Sequence, residues 1–429
     1  MIKPLPWQQP AINQLTRILS RSRGAIDCSD VGTGKTYVAL LSAQKLGLPV
    51  AVICPKSLIP TWQSACRDVG VIPIYIISYD KAVKGFEYGK WINSTIYKWL
   101  YEEPHLLICD EAHRLRHHRT RTCKMFEAGA NWGAKYKLLA LSATLAENPI
   151  HFKALGRWLD LFPKGQFWPW TQQNGVVQDG FGWNFTKVPE FQEECLRRLH
   201  NTLFPHKGVR IRVKDIKNFP EQVVEFFPVE VGEKDIKRVE KAVNDLKLKA
   251  LEDKAFPIVE LIRARQEMEL LKVDTFIEQA EDLVEEGSGV VIFLEFIQSI
   301  HAVAEGLKKL NPIVITGEET DAKVRSDLVQ KFQNNENKII ILQSRVGGVG
   351  LSLHDLLGVP RVALISPSYS ATTFKQVLGR IRRAGGRSPA IQRVIYIPAS
   401  VESQVIKSIK KKLENLDLLC DGDLSFFQS

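Results

Sequence analysis

Two short segments in the first third of the chain carry residue types and spacing suited to phosphate chemistry. Ser29-Asp30-Val31-Gly32-Thr33-Gly34-Lys35-Thr36 follows an apolar run and opens an amphipathic one. Glycines in such a loop let backbone N–H groups approach phosphate oxygens, and the start of a helix adds its dipole. Gly32, Thr33, Gly34, Lys35 and Thr36 are therefore expected to cradle a nucleotide. Lys35 would reach the β- and γ-phosphates and Thr36 would ligate Mg²⁺. The strict pattern begins with glycine, and Ser29 stands in that place. Further on, Leu106-Leu107-Ile108-Cys109 runs into Asp110-Glu111-Ala112-His113. An apolar strand ending in two carboxylates can hold a metal through Asp110 and polarise a water through Glu111. Two acids after a strand can also simply cap the next helix.

A second set of candidates lies in the last third. Gln376, Arg380 and Arg383 fall at spacings of four and three in a segment expected to be helical, which puts them on one face. Arginine forks stabilise charge on a transferring phosphoryl group. A basic surface helix would show the same spacing. Gln343-Ser344-Arg345-Val346-Gly347-Gly348-Val349-Gly350-Leu351 is glycine-rich, so backbone can come close to a partner there; a bend without a partner is the alternative.

These residues need a scaffold, and the periodicity supplies one. Over the first ~160 residues short apolar runs alternate with amphipathic stretches, which predicts a mostly parallel sheet covered by helices. Strands are expected at Gly24–Cys28, Val50–Cys54, Ile74–Ile77, Leu106–Cys109 and Lys137–Leu141. A second series is expected at Val290–Leu294, Ile313–Ile315, Lys338–Leu342, Val362–Ile365 and Arg393–Ile397. Between them lie an aromatic stretch with Phe167, Trp168, Trp170, Phe181 and Trp183, and long charged helices over 233–286 broken at Phe256-Pro257. The expected organisation is thus an α/β domain over 1–165, a partly helical insert and linker over 166–270, and a second α/β domain over 271–429.

Composition narrows the function classes. The 429 residues are 45% hydrophobic and 25% charged, as expected of a folded soluble chain, with no apolar run of membrane-spanning length. The seven cysteines include no C-x-x-C pair, so neither structural zinc nor a disulfide framework is expected. No signal-peptide pattern opens the chain, so it is expected to stay in the compartment where it is made, without secretion. The net charge of +10 suits a polyanion. Residues 361–416 carry eleven Lys or Arg against two Glu, and 114–124 hold Arg114, Arg116, Arg119, Arg121 and Lys124 with no acid. Either run is a solvated face or a phosphate-tracking groove.

In order and type these segments resemble the superfamily-two helicases, and within them the Swi/Snf-like translocases. The DEAH box Asp110–His113, Arg210-Ile211-Arg212-Val213-Lys214-Asp215, Gly347–Leu353 and Gln376–Arg383 carry the likeness, which spans nearly the whole chain. Ser366-Pro367-Ser368-Tyr369-Ser370 and the Asn415–Leu424 tail resemble compact members of phages and large DNA viruses. The resemblance implies two RecA-like parallel-sheet domains forming a helicase core, an ATP and Mg²⁺ requirement, and DNA-dependent ATP hydrolysis coupled to movement along mainly duplex DNA. It implies that Gln8, after Trp7, reads adenine, and that Lys35, Asp110, Glu111, Gln376, Arg380 and Arg383 form the catalytic set. Thr36 and Asp110 would hold the metal. Lys56, Ser57, Trp62, Ser344, Gly347 and Gly348 would touch nucleic acid, and Ser142-Ala143-Thr144 would link that grip to the ATP site. A monomer with further protein partners and no membrane association is expected, in the cytoplasm or nucleoid of a host cell and at work in viral or phage DNA replication, recombination or repair. Eukaryotic remodellers have Gly-Thr-Pro where Ser142–Thr144 stands and His where Arg382 stands, so nucleosome remodelling is not expected. A DEAH-type RNA helicase, or an ATP-gated nucleic-acid clamp without motor activity, fits the same motifs.

Overall fold

The apolar runs become strands buried on both faces. The computed structural model describes residues 2–130, 136–180, 182–232, 258–319, 321–347, 351–368, 370–398 and 400–421. Gly24–Asp27, Val50–Cys54 and His105–Asp110 are buried along their whole length. A strand with no polar face needs a cover on each side, which is the habit of parallel sheets. The first sheet runs Gly208–Val209, Gly24–Asp27, Tyr136–Leu141, His105–Asp110, Val50–Cys54, Pro73–Ser78, and every neighbouring pair is parallel. Pro73, which has no N–H to give a ladder, opens the edge strand. The Gln8–Arg21 helix covers the sheet with Gln8, Ala11, Ile12, Leu15, Ile18 and Leu19, an apolar stripe at helical spacing with one glutamine in it.

Parallel strands put all their C-terminal ends on one edge, and ligands of such sheets bind beyond that edge. The loops after Gly24–Asp27 and His105–Asp110 both leave from it, separated by the single strand Tyr136–Leu141. This adjacency brings two motifs some eighty residues apart in sequence to one place.

The second sheet is also wholly parallel, in the order Gln222–Pro228, Ala390–Tyr396, Arg361–Ile365, Gly289–Leu294, Ile339–Gln343, Ile313–Ile315. The chain divides into two compact units, Met1–Lys217 with Lys412–Ser429, and Asn218–Lys411. Both are RecA-like parallel-sheet folds. Residues 166–217 of the expected insert belong to the first unit. The Pro189–Leu203 helix buries Cys195, Leu196, Leu199 and Leu203, and Gly208–Val209 pairs beside Gly24–Asp27. Residues 218–270 fall in the second unit, where Gln222–Pro228 adds an edge strand that the sequence pattern did not signal. Of the expected charged helices, Ile258–Leu270 and Val273–Glu285 are present, and 233–257 lie outside the described residues.

Two antiparallel hairpins were not anticipated. Gly89–Trp91 pairs with Tyr97–Trp99, and Val176–Asp179 pairs with Gly182–Phe185. The first fills the core with aromatics: Tyr97 and Trp99 pack in the same cluster as Phe126, Tyr136 and Trp158. Among the described residues no helix is long and apolar enough to cross a membrane.

The second unit is fastened by a buried charge. Lys272, in the turn between two helices, is fully buried, and its ammonium donates to Glu402 at 2.7 Å, to the Ile395 carbonyl at 3.0 Å and to Ser366 at 3.2 Å. Breaking such a pair from one side leaves the other charge stranded, at a cost of about 3–5 kcal/mol. Lys272→Ala should therefore lower the stability of the protein in urea unfolding by that order, whereas Lys272→Met with Glu402→Gln should recover much of the loss.

Candidate nucleotide-binding site

The phosphate loop owes its shape to two glycines. Gly32 and Gly34 both sit at φ +87°, a region costly for any side chain. Gly34 is the cap from which the Lys35–Leu46 helix starts, so the loop ends at a helix N-terminus. A Cβ at Gly34 would collide with the Gln8 amide nitrogen. That amide donates to the Thr33 carbonyl at 3.0 Å, and its oxygen accepts from Leu5 N–H at 2.9 Å. Gln8 thus braces the loop with both ends of its side chain. Lys35 folds back inside the loop, donating to the carbonyls of Ser29 at 2.8 Å and Asp30 at 3.0 Å.

The root of the loop is held by residues to which the sequence pattern gave no such task. Arg210 makes a two-pronged bond to Asp421 at 2.7 and 2.9 Å. It also reaches Asp30 at 2.9 Å and the Cys28 carbonyl at 2.5 Å. The neighbouring backbone repeats the grip: Ile211 N–H donates to the Ser29 hydroxyl and Val213 N–H to Asp30 Oδ2, both at 2.9 Å. Ser29, the departure from glycine in the loop pattern, supplies a hydroxyl that glycine could not. Asp421 ends the Val401–Asp421 helix, whose Leu418, Leu419 and Cys420 pack in the first core. The Cys28 and Cys420 thiols hydrogen-bond to each other, and that bond with burial pushes the Cys28 thiol up.

A further acid went unremarked. Asp27 is fully buried at the end of its strand; Oδ1 accepts from Ser29 N–H at 2.9 Å, and Oδ2 finds no hydrogen-bond partner among the described residues. Burial raises its carboxyl above the usual range, and the Lys35 ammonium pulls the other way. A carboxylate inside Ala25-Ile26-Asp27-Cys28 breaks an apolar run, and that break is the signal that could have marked it.

Asp110 is buried at the end of the His105–Asp110 strand. Burial and then the Glu111 charge raise its carboxyl, while the Trp62 hydrogen bond and Lys35 lower it. Lys35 therefore acts electrostatically on Asp27 and Asp110 alike, which ties the loop to the acid pair. Thr36 and Asp110 offer a hydroxyl and a carboxylate, hard oxygen donors of the kind Mg²⁺ takes. A dication beside Asp110 would also offset the cost that burial imposes on its charge. Among the described residues no group of three or more His, Cys, Asp or Glu is arranged to cage a metal by itself.

Glu111 adopts a left-handed conformation, φ 54° and ψ 49°, strained for a non-glycine residue. Its carboxylate lies 3.2 Å from His113 Nδ1, which is itself 3.3 Å from the Ser142 hydroxyl. The acid pair and Ser142-Ala143-Thr144 are thus joined through one imidazole.

Trp62 corrects an expectation. It is not a nucleic-acid contact: its side chain is fully buried and the indole N–H donates to Asp110 Oδ2 at 2.8 Å. A buried indole needs an acceptor, and the carboxylate provides it. Lys56 is exposed and Ser57 half-buried, in the short 3₁₀ turn after Val50–Cys54.

In the second unit, Gln376 is buried in the last turn of the Ala371–Leu378 helix. Arg380 and Arg383 do not lie on that helix, which stops at Gly379. Instead both guanidinium groups donate to the Leu351 carbonyl at 3.0 Å, so the chain beyond the helix end folds back on the glycine-rich stretch. Ser344 was expected at nucleic acid, yet it is buried and donates to the Leu294 carbonyl at 3.1 Å. Gly347 ends the Ser344–Gly347 helical turn, and Gly348 lies outside the described residues.

Trp62 is therefore a positioning residue for Asp110. Removing a partner of this kind typically costs 10–100-fold in metal affinity or activity. Trp62→Phe should lower ATPase kcat/KM by about that factor and raise the divalent-cation concentration needed for half-maximal rate, with a small change in Tm. An unaltered cation requirement would assign Trp62 to packing alone.

Comparison with known proteins places the chain. Residues 272–385 match the Helicase conserved C-terminal domain. A putative ATP-dependent RNA helicase of Acanthamoeba polyphaga mimivirus is 30% identical over 98% of this chain and 84% of its own length. The Arabidopsis thaliana protein CHROMATIN REMODELING 5 is 23% identical over 95% of this chain, which spans only 26% of that relative. Saccharomyces cerevisiae Dbp5 bound to RNA and ADP·BeF₃ shares the fold, with TM-score 0.54 and 11% identity over 96% of this chain and 88% of that one. With its phosphate loop and acid pair on one sheet edge, the chain belongs to the Swi/Snf-like branch of the superfamily-two helicases, a family of nucleic-acid-dependent ATPases.

Proposed function

We propose that the protein is a DNA translocase, driven by ATP hydrolysis and moving mainly along duplex DNA. The observation that carries the reading is Lys35, held in the phosphate loop and electrostatically coupled to Asp110 of the acid pair. In this scheme the loop from Gly32 to Thr36 binds the phosphates and Gln8 keeps the loop in shape. Contact with adenine would require Gln8 to exchange one of its two backbone partners. Thr36 and Asp110 would hold Mg²⁺, which when bound would supply charge neutralisation on the phosphates. Glu111 orients and polarises the attacking water, and His113 holds Glu111 in place. Arg380 and Arg383 are assigned to the charge that develops on the γ-phosphate, with Gln376 beside them in sequence. Their bonds to the Leu351 carbonyl are the resting partners that this role would exchange.

Duplex DNA is favoured as the track by membership of the Swi/Snf-like branch. Lys56, on the exposed turn after Val50–Cys54, and Ser57 are the proposed backbone contacts in the first unit. Work on a virus or phage genome, in the cytoplasm or nucleoid of a host and as a monomer, completes the proposal. RNA is the second reading, and the name of the mimivirus relative is what favours it.

Four measurements test this. Lys35→Ala should reduce ATP turnover to background while leaving the protein folded, because a charge aimed at the transition state is worth several kcal/mol; near-normal turnover removes the loop assignment. In the wild-type protein, duplex DNA should stimulate ATPase activity more than single-stranded DNA or RNA does. A triplex-forming strand should be displaced from intact duplex, while a plain fork is unwound poorly. Stimulation by RNA alone would replace DNA with RNA as the track.

A further inference from the structure

The hairpin Val176–Asp179/Gly182–Phe185 stands outside the sheet, and the nucleotide site makes no use of it. Trp183 on its second strand stacks on Trp168 of the Phe167–Gln173 helix, with centroids 4.6 Å apart and planes 20° from parallel. Both rings are only half-buried. The edge of His118 meets the Trp168 ring at 5.5 Å. His118 belongs to the segment that follows the acid pair, where Arg114, Arg119 and Arg121 are exposed and no acid occurs from 114 to 124. Burial lowers the His118 pKa, and the nearby Lys153 and Arg119 cations lower it further. Val177 on the hairpin, and Val188 and Phe191 just after it, are among the exposed large apolar side chains.

Stacked aromatics at a surface, next to a segment with exposed Arg114, Arg119 and Arg121, match one partner chemistry: phosphates for the cations and base faces for the rings. In a duplex the base faces are already stacked on each other, so the rings can add only to unpaired bases. Trp168 is further packed by Phe167 at 4.9 Å and by the His118 edge, so half-exposed Trp183 is the ring on which a base would extend the stack.

We infer that the Trp168–Trp183 stack, together with the exposed arginines Arg114, Arg119 and Arg121 of the segment that His118 joins to it, is a second nucleic-acid contact that takes unpaired bases, as at a junction where a duplex opens. The inference rests on the proposed function, since it presupposes a nucleic-acid track. It makes the hairpin a sensor of strand opening, built onto the segment that runs directly on from Asp110 and Glu111.

The test uses the full chain and fluorescence anisotropy with three probes at one salt concentration: a blunt duplex, the same duplex with two unpaired tails, and a single strand of tail sequence. Stacking on a base is worth about 1–3 kcal/mol, so Trp183→Ala should weaken binding to the tailed probe by roughly tenfold. Blunt-duplex binding should stay within about twofold, and Trp183→Phe, which keeps a ring, should restore most of the loss. Bromouracil placed in the tails should also photocrosslink wild-type protein at Trp168 or Trp183, whereas bromouracil in the paired region should not. Equal weakening on blunt and tailed probes, or no weakening with no crosslink, assigns the pair to packing and overturns the inference. A wild-type protein that binds none of the three probes, nor RNA, overturns the proposed function itself and this inference with it.

Discussion

The first unit depends on one guanidinium. Arg210 binds Asp421, Asp30 and the Cys28 carbonyl at once, joining three stretches of chain that are far apart in sequence. A loop made of glycines pays a large entropy to hold one shape. Here its first residues are fixed from outside, by Arg210 and by the backbone of Ile211 and Val213, while Gln8 fixes its tip. The glycines can then keep the positive φ angles that phosphate binding requires, because the rest of the loop has no freedom left to lose.

The same economy of placement appears at the acid pair. Asp110 is buried, so its charge is costly; Trp62 and Lys35 oppose that cost from two sides. Glu111 is carried in a strained backbone conformation and engaged by His113. Strain and burial both concentrate at the end of one strand, where the chemistry of the family lies.

Most of the scaffold was legible, since continuous apolar runs bounded by turns identify buried parallel strands with little ambiguity. All ten expected core strands are present, within three residues at either end. The hairpins and the edge strands Gly208–Val209 and Gln222–Pro228 were not legible. They are short, half-exposed or aromatic, and tertiary pairing decides them more than local pattern does. The phosphate loop and acid pair announce themselves because glycine spacing and adjacent carboxylates are local signals. Trp62 and Ser344 were misplaced for the opposite reason. A tryptophan or serine near a motif has no local signature that tells a surface contact from a buried donor, and only the fold reveals that each faces an acceptor inside. The helix expected to carry Arg380 and Arg383 ends early at Gly379, since helical spacing alone does not show where a chain will turn back.

All seven cysteines of the chain are buried. A thiol reagent in solution therefore meets little that it can modify in the folded protein. Cys28 and Cys420 are both buried and hydrogen-bonded to each other, one at the root of the phosphate loop and the other in the last turn of the terminal helix. If that turn peels away, both sulfurs reach solvent together. The rate at which a small maleimide labels them thus measures how often the terminal helix lets go, and the remaining five thiols supply the baseline for global unfolding. The chain carries its own clock for local opening, and no reporter group has to be added.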